Sequence, residues 1–240
     1  MIVVLIPSHF EAKAFIAGLV GRWESRIGGA DCTEGKSGEE AVTVGVIGMG
    51  QPHAARRARA VLVDLKQRNA NFRGVILAGF AGALNPELKR GGIFVTAGAA
   101  HLLPLLAAAE RPREAKLATV DKIAGTAAAK RELFERTGAW LCDMEQAHLE
   151  PLAQEFGVPF VGLRIVSDEA HEDLPVETLG RSYDQQTGTY TPWKLAGYLA
   201  LHPLRIAKLA AFVRLLPPVR NCLSDRLHTW LRQAGPRLFR

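Results

Sequence analysis

Four short apolar runs, none alternating with polar residues, fix the class of fold open to this chain. Ile2–Ile6, Ala41–Ile47 (AVTVGVI), Gly74–Ala78 (GVILA) and Val158–Val166 (VPFVGLRIV) are rich in β-branched residues. Such runs match strands covered on both faces. A shorter one spans Ile93–Thr96. Pro7 ends the first run, Gly48-Met49-Gly50 follows the second and Gly79-Phe80-Ala81-Gly82 the third. Between them, Glu11 to about Leu19, Pro52–Arg68 and about Glu145–Phe156 read as helices. Alternating strands and helices with glycines at strand ends predict an α/β fold, a mainly parallel sheet with helices on both faces. Ligands of such sheets bind beyond the carboxyl ends of the strands.

The chain of 240 residues, 48% of them apolar, suits one core better than two. We read a body over residues 1–189 and a C-terminal extension over 190–240. From Tyr190 onward there are nine Lys/Arg against the single acid Asp225, so this segment holds +8 of a net +6 and the body −2. A basic tail on a near-neutral body predicts contact with an anionic surface. The tail reads as a helix from about Trp193 to Leu216, a break at Pro217-Pro218 and a second helix from about Leu223 to Leu231. Lys194, Tyr198, His202, Arg205 and Lys208 share one face of the first helix, as in an interfacial helix; a terminal helix packed on the body is the other reading. No stretch reaches the roughly 18 apolar residues that cross a bilayer. The start of the chain has no basic region ahead of its apolar run, which argues against a signal peptide. Three cysteines at scattered spacing argue against a disulfide framework or a structural metal, and for a reducing compartment. Ala97–Ala109 carries no charge and is interrupted by Pro104; it is either core or a wall around an apolar ligand.

Acids follow three of the predicted strands: Glu11, Glu145 and Asp168. Alone, each is more often a solvated group or a cap. Their flanks are more specific. Asp143-Met144-Glu145-Gln146-Ala147, Val158-Pro159-Phe160 and Arg164-Ile165-Val166-Ser167-Asp168-Glu169-Ala170 occur in this order, after Gly79–Pro86 (GFAGALNP) and Gly48-Met49-Gly50. This arrangement, over residues 1 to about 173, resembles the nucleoside phosphorylase and methylthioadenosine/S-adenosylhomocysteine nucleosidase superfamily. The resemblance implies a three-layer sandwich with a partly barrel-like sheet, and cleavage of the N-glycosidic bond of a purine nucleoside.

By that resemblance Asp168 is the acid that protonates the purine, with Ser167 orienting it. Glu145 accepts the ribose hydroxyls, Met144 packs under the sugar and Glu11 activates the attacking water. Gly79, Phe80, Ile123 and Ala124 join the substrate-binding set, and Arg164 is either a supporting residue or half of a buried ion pair. Phe80 stands where phosphate-using members carry a serine, and their glycine-rich loop with an arginine is missing near the N-terminus. Water is therefore the expected nucleophile, with phosphate open as co-substrate and no cofactor or metal implied. Val120-Asp121, Lys130, Leu133, Thr137-Gly138-Ala139 and the Leu- and Arg-rich tail resemble the hopanoid-associated phosphorylases, which implies adenine release from a lipid-linked adenosine. The other readings are a soluble methylthioadenosine or futalosine-type nucleosidase and a noncatalytic nucleoside-binding protein. The expected setting is a cytoplasmic homodimer, free or peripheral at the inner face of the membrane, with no nucleic-acid partner.

Overall fold

Alternate residues of the first strand enter different cores. In β1 (Ile2–Ile6), Ile2, Val4 and Ile6 join one buried cluster while Val3 and Leu5 join another. Both faces of this strand are covered, so its sequence is apolar without alternation. The computed structural model describes residues 1–50, 52–108, 111–178, 183–184, 189–190, 202–237 and 239. After β1 come α1 (His9–Ala17), β2 (Val20–Ile27), β3 (Ala30–Ser37), β4 (Glu40–Val46), α2 (His53–Gln67) and β5 (Val75–Ala83). Then follow β6 (Ile93–Ala97), α3 (Ala99–Leu102), β7 (Arg113–Glu114), β8 (Leu117–Thr119), α4 (Ala127–Thr137), β9 (Leu141–Asp143), α5 (Gln146–Glu155) and β10 (Phe160–Asp168). A small hairpin of β11 (Tyr183–Asp184) and β12 (Thr189–Tyr190) and a long helix, α6 (Pro203–Ala234), complete the described elements.

The strand order is β2-β3-β4-β1-β5-β10-β6-β7, with β4, β1, β5 and β10 parallel at the centre as expected. The margins are antiparallel: β2 and β3 extend the sheet on one side, and β6 pairs with β10 on the other. Helices α2 and α5 supply Ala54, Val61, Leu62, Leu149 and Leu152 to one face. On the opposite face lie Phe15 of α1, Leu102 of α3 and Leu223, Leu227, Trp230 and Leu231 of α6.

Strand β5 forks. Its first part, Val75–Leu77, pairs with β1, and its end, Gly82–Ala83, pairs with β9. Strand β10 occupies the other edge from Val75 to Gly82. Between β1 and β9 one edge of β5 is therefore left without a strand, at the carboxyl end of the central sheet.

The C-terminal helix corrects one expectation. It runs through Pro217 and Pro218 without a break. Each proline removes a backbone donor and crowds the carbonyl four residues earlier, here those of Val213 and Arg214, whose residues are exposed. The very next residue, Val219, is buried and begins the packed face, which offsets the loss. The expected start at Trp193, with Lys194 and Tyr198, lies outside the described residues. Among the described residues no helix is long and apolar enough to cross a membrane.

The uncharged segment 97–109 also resolves in part. Leu102 and Leu106 are buried in the core beside α6, which makes them core residues rather than a ligand wall; His101 and Pro104 are exposed. The hairpin β2–β3 went unforeseen. Strand β2 is exposed on both faces, with Trp23 72% accessible, so it lacks the alternation that marks a half-buried strand.

Candidate active site

The gap in the β5 ladder is filled by a side chain. Ser8 caps α1 by accepting a hydrogen bond from Glu11 N–H at 3.3 Å, the usual service of a serine there. This places Glu11 in the first turn, facing β5, and its Oε1 accepts the Phe80 N–H at 2.7 Å. The Ser8 hydroxyl donates to Oε2. Glu11 is buried, and the loss of hydration raises its pKa above the ordinary carboxylate value, against these hydrogen bonds and the charge of Arg164. Gly79 lets the two approach: a Cβ there would lie 3.0 Å from Glu11 Oε1 and 3.3 Å from Arg164 Nη1.

Arg164 leaves β10 fully buried and pairs through Nη2 with Asp143 at the end of β9. Asp143 also accepts from Thr119 Oγ1 at 2.7 Å and from the Gln146 N–H at 2.9 Å, which caps α5. Arg164 Nη1 has no hydrogen-bond partner among the described residues. The arginine is thus half ion pair and half unused donor, turned toward Glu11.

Glu145 stands between β9 and α5. Its Oε1 accepts the Gly50 N–H at 2.8 Å, from the turn that ends β4. Gly50 adopts φ 72°, and Met144 Cε lies 3.3 Å from where its Cβ would be. Glu145 is pushed up to about 7, first by burial, then by the neighbouring Asp143 and Glu11 charges, with Arg164 and the Gly50 N–H opposing.

Asp168 closes β10 opposite Gly82, which on its other edge faces Cys142 of β9. Three residues beyond Cys142 is Glu145, so the fork of β5 brings the two acids to one end of the sheet. Asp168 Oδ1 accepts from Ser167 Oγ at 2.6 Å, and Oδ2 lies 2.6 Å from the Nζ of Lys130. Lys130 is fully buried in α4 and also donates to the carbonyls of Glu169 and Glu172, at 2.7 and 3.0 Å.

Glu11, Glu145, Ser167, Asp168, Gly79 and Phe80 thus lie toward the carboxyl end of the central strands, with Met144 half-buried beside Gly50. The segment with Ile123 and Ala124 follows β8 at the same end: Val120 N–H bonds to the Asp143 carbonyl at 2.8 Å. Ile123 is exposed, and Ala124 packs on the cluster of Leu84, Leu133 and Cys142.

A family model described as the phosphorylase superfamily matches residues 1–107 and 104–188. The chain belongs to the phosphorylase superfamily. Solved structures agree on the fold. The 5′-methylthioadenosine/S-adenosyl homocysteine nucleosidase of Helicobacter pylori, in complex with a pyrrolidine-based ligand, is 17% identical, with a TM-score of 0.71 over 96% of this chain and 97% of that one. The nucleosidase of the same name from S. pneumoniae, bound to a transition-state inhibitor, is 15% identical with a TM-score of 0.69 over 97% of this chain and 98% of that one. The futalosine hydrolase of H. pylori is 16% identical with a TM-score of 0.66 over 96% of each chain. No curated protein sequence matches this chain.

Asp143 and Lys130 were missed as site residues. Asp143 directly precedes the Met144-Glu145 pair, a second acid within three residues at the end of a buried strand. Lys130 sits three residues before the buried Leu133 on α4, and a lysine in line with an apolar face is the available signal.

Proposed function

We propose that this chain hydrolyses the N-glycosidic bond of a 5′-substituted adenosine and releases adenine. The observation that carries the reading is the convergence of Glu11, Glu145 and Asp168, all buried and each held differently, on one end of the sheet. Breaking the bond requires a proton for the leaving base, support for a cationic sugar and a nucleophile. Asp168, oriented by Ser167, serves the base. Glu145 accepts the ribose hydroxyls through the carboxylate that Gly50 N–H steadies. Glu11 takes a proton from water held between its carboxylate and the unused Nη1 of Arg164. As the C–N bond breaks, its electron pair goes to the base, which takes the proton from Asp168, and the water oxygen bonds to the sugar carbon.

Water fits this site better than phosphate. The buried cations described there, Arg164 and Lys130, each already offset a carboxylate, Asp143 and Asp168, and a phosphate dianion beside Glu11 would meet a further carboxylate. Adenine release from a panel of 5′-substituted adenosines, with and without phosphate, tests this. Phosphate-independent release is expected, and strict dependence on phosphate would overturn hydrolysis.

For the 5′ group we favour a large apolar, lipid-borne substituent. In support, the half of α6 before Pro217 exposes Ile206, Val213 and Leu215, with Arg214 and Lys208 among them, a composition suited to an anionic lipid surface. The soluble thioether nucleosides named for the structural relatives are the second reading, supported by the shared fold. Binding to vesicles containing phosphatidylserine separates the two. Lys208→Glu with Arg214→Glu should abolish it, and unchanged binding would remove the lipid reading. Deleting the whole extension is the wrong test, because α6 fills the core.

A further inference from the structure

Asp143 and Arg164 are both buried, and a salt bridge so placed offsets its desolvation only when further hydrogen bonds complete it. Asp143 has them. Its Oδ2 accepts from Arg164 Nη2 and, at 2.9 Å, from the Gln146 N–H, while its Oδ1 accepts from the Thr119 hydroxyl at 2.7 Å. Thr119 is itself fixed, because the Ala147 N–H donates to its Oγ1 at 3.0 Å and the β8 and β9 backbones pair it with Asp143. The carboxylate is thus tied to β8, to β9 and to the first turn of α5. Anchored from these sides, it dictates where the guanidinium lies.

Where the arginine rests decides what it leaves open. With Nη2 held by Asp143, Nη1 and Nε have no hydrogen-bond partner among the described residues, although Arg164 is fully buried. A buried N–H group is seldom left unpaired without a reason. Nη1 lies on the side of Gly79 where Glu11 also sits: a Cβ on that glycine would be 3.3 Å from the nitrogen and 3.0 Å from Glu11 Oε1. The open donor therefore borders the space beside Glu11 to which the attacking water is assigned. The same pairing bears on Glu145. The charged groups acting on that acid are Asp143 from β9, Arg164 from β10 and Glu11 from α1, with the Gly50 N–H from the turn after β4. Two of the three are carboxylates, and the one cation is paired with the first of them.

We propose that Asp143 is a positioning residue for glycosidic cleavage: it holds Arg164 with one nitrogen open to the attacking water, and it shares a cation that would otherwise act on Glu145 and Glu11 alone. The inference rests on the roles of Glu11 and Glu145 given above. Without the charge on Asp143, the guanidinium is left with Glu145 and Glu11 as the carboxylates it acts on. Glu145 then loses a like charge and gains more of an opposite one, and both changes favour its ionised form. Asp143 thus orients Arg164 while it opposes ionisation of Glu145. Removing its charge should therefore harm the chemical step and ease the ionisation, two effects of opposite sense.

Asp143→Asn is nearly isosteric and can keep these bonds, its amide oxygen accepting from Arg164 and Gln146 and its NH2 donating to Thr119 Oγ1, so it removes little but the charge. Adenine release by the full chain is followed against pH in wild type, Asp143→Asn and Thr119→Val, with folding checked by urea unfolding. In wild type kcat/KM should rise through about 7, where Glu145 ionises. In Asp143→Asn that limb should move down by about one pH unit or more, while kcat above it falls about tenfold to a hundredfold as Arg164 shifts from its position. A fall in kcat with the limb unmoved means that Asp143 only supports the fold and overturns the proposal, as does wild-type kcat in this variant. Thr119→Val keeps the charge of Asp143 and loosens its anchorage. There kcat should fall severalfold with KM unchanged, since the water is disturbed and the sugar is not. If Asp143→Asn fails to fold, this variant decides: wild-type kcat, or a KM that rises in step with the loss, overturns the positioning role. Failure of the underlying reading looks different, because Glu145→Gln would then keep the wild-type limb whatever stands at Asp143.

Discussion

Glu145 and Asp168 are almost equally buried, 5% and 3% accessible, yet the protein holds them by different means. Asp168 is given an ammonium of its own. Glu145 is given a backbone N–H and is placed among Asp143 and Glu11, with the nearest cation already paired to Asp143. Burial alone does not set the state of an acid; the placement of counter-charge does. One acid has a cation beside it alone, while Glu145 shares the influence of Arg164 with Asp143. That suits a group which must accept hydroxyl hydrogen bonds only when a sugar arrives.

The contrast is broken hardest at Arg164, the cation that the acids of the Glu145 side share. Arg164→Met should destabilise the fold by about 3–5 kcal/mol, because Asp143 is left buried without its partner. Urea unfolding measures this, and a loss under about 1 kcal/mol would show that Asp143 has found other compensation. Next comes Asp168→Asn, expected to lower kcat/KM by about 10²-fold or more, as removal of a general acid does. Near-wild-type turnover would retire that role. A subtler difference concerns pH. In the proposed mechanism Glu145 accepts the sugar hydroxyls as a carboxylate, and its pKa is pushed up to about 7, so kcat/KM should rise as pH increases through that value. Glu145→Gln should lose this limb along with most of its affinity for the sugar. The same shift acts on stability. Raised above its unfolded value, the Glu145 pKa makes the native state bind more protons than the unfolded state between about 4.5 and 7. Stability is therefore greatest below that window and is lost as pH rises through it. Glu11 acts in the same direction. Urea unfolding at pH 5 and pH 7.5 should show a smaller difference in Glu145→Gln than in wild type, and an equal difference would count against the burial argument.

The parts of the molecule legible in sequence are those in which one physical demand dominates. Strands β1, β5 and β10 are covered on both faces, so an unbroken apolar run suffices to find them, and the acids after β1 and β10 mark the end at which the site lies. Hairpin β2–β3 obeys no such demand. Its outer strand is held by pairing with β3 rather than by burial, and pairing leaves no pattern along one strand. The prolines of α6 misled for a related reason, since their local preference is strong but the core contacts of Val219, Leu223 and Leu227 are stronger. Lys130 was hidden because its worth depends on meeting Asp168, 38 positions away by residue number and joined to it by tertiary packing alone.

The face of β1 formed by Ile2, Val4 and Ile6 is covered by Leu223, Leu227 and Trp230 of α6. In order of synthesis that strand emerges well before the covering helix. The growing polypeptide therefore carries an open greasy surface on that side of the sheet until α6 has left the exit tunnel. A cell making this protein has reason to keep a chaperone at hand until then.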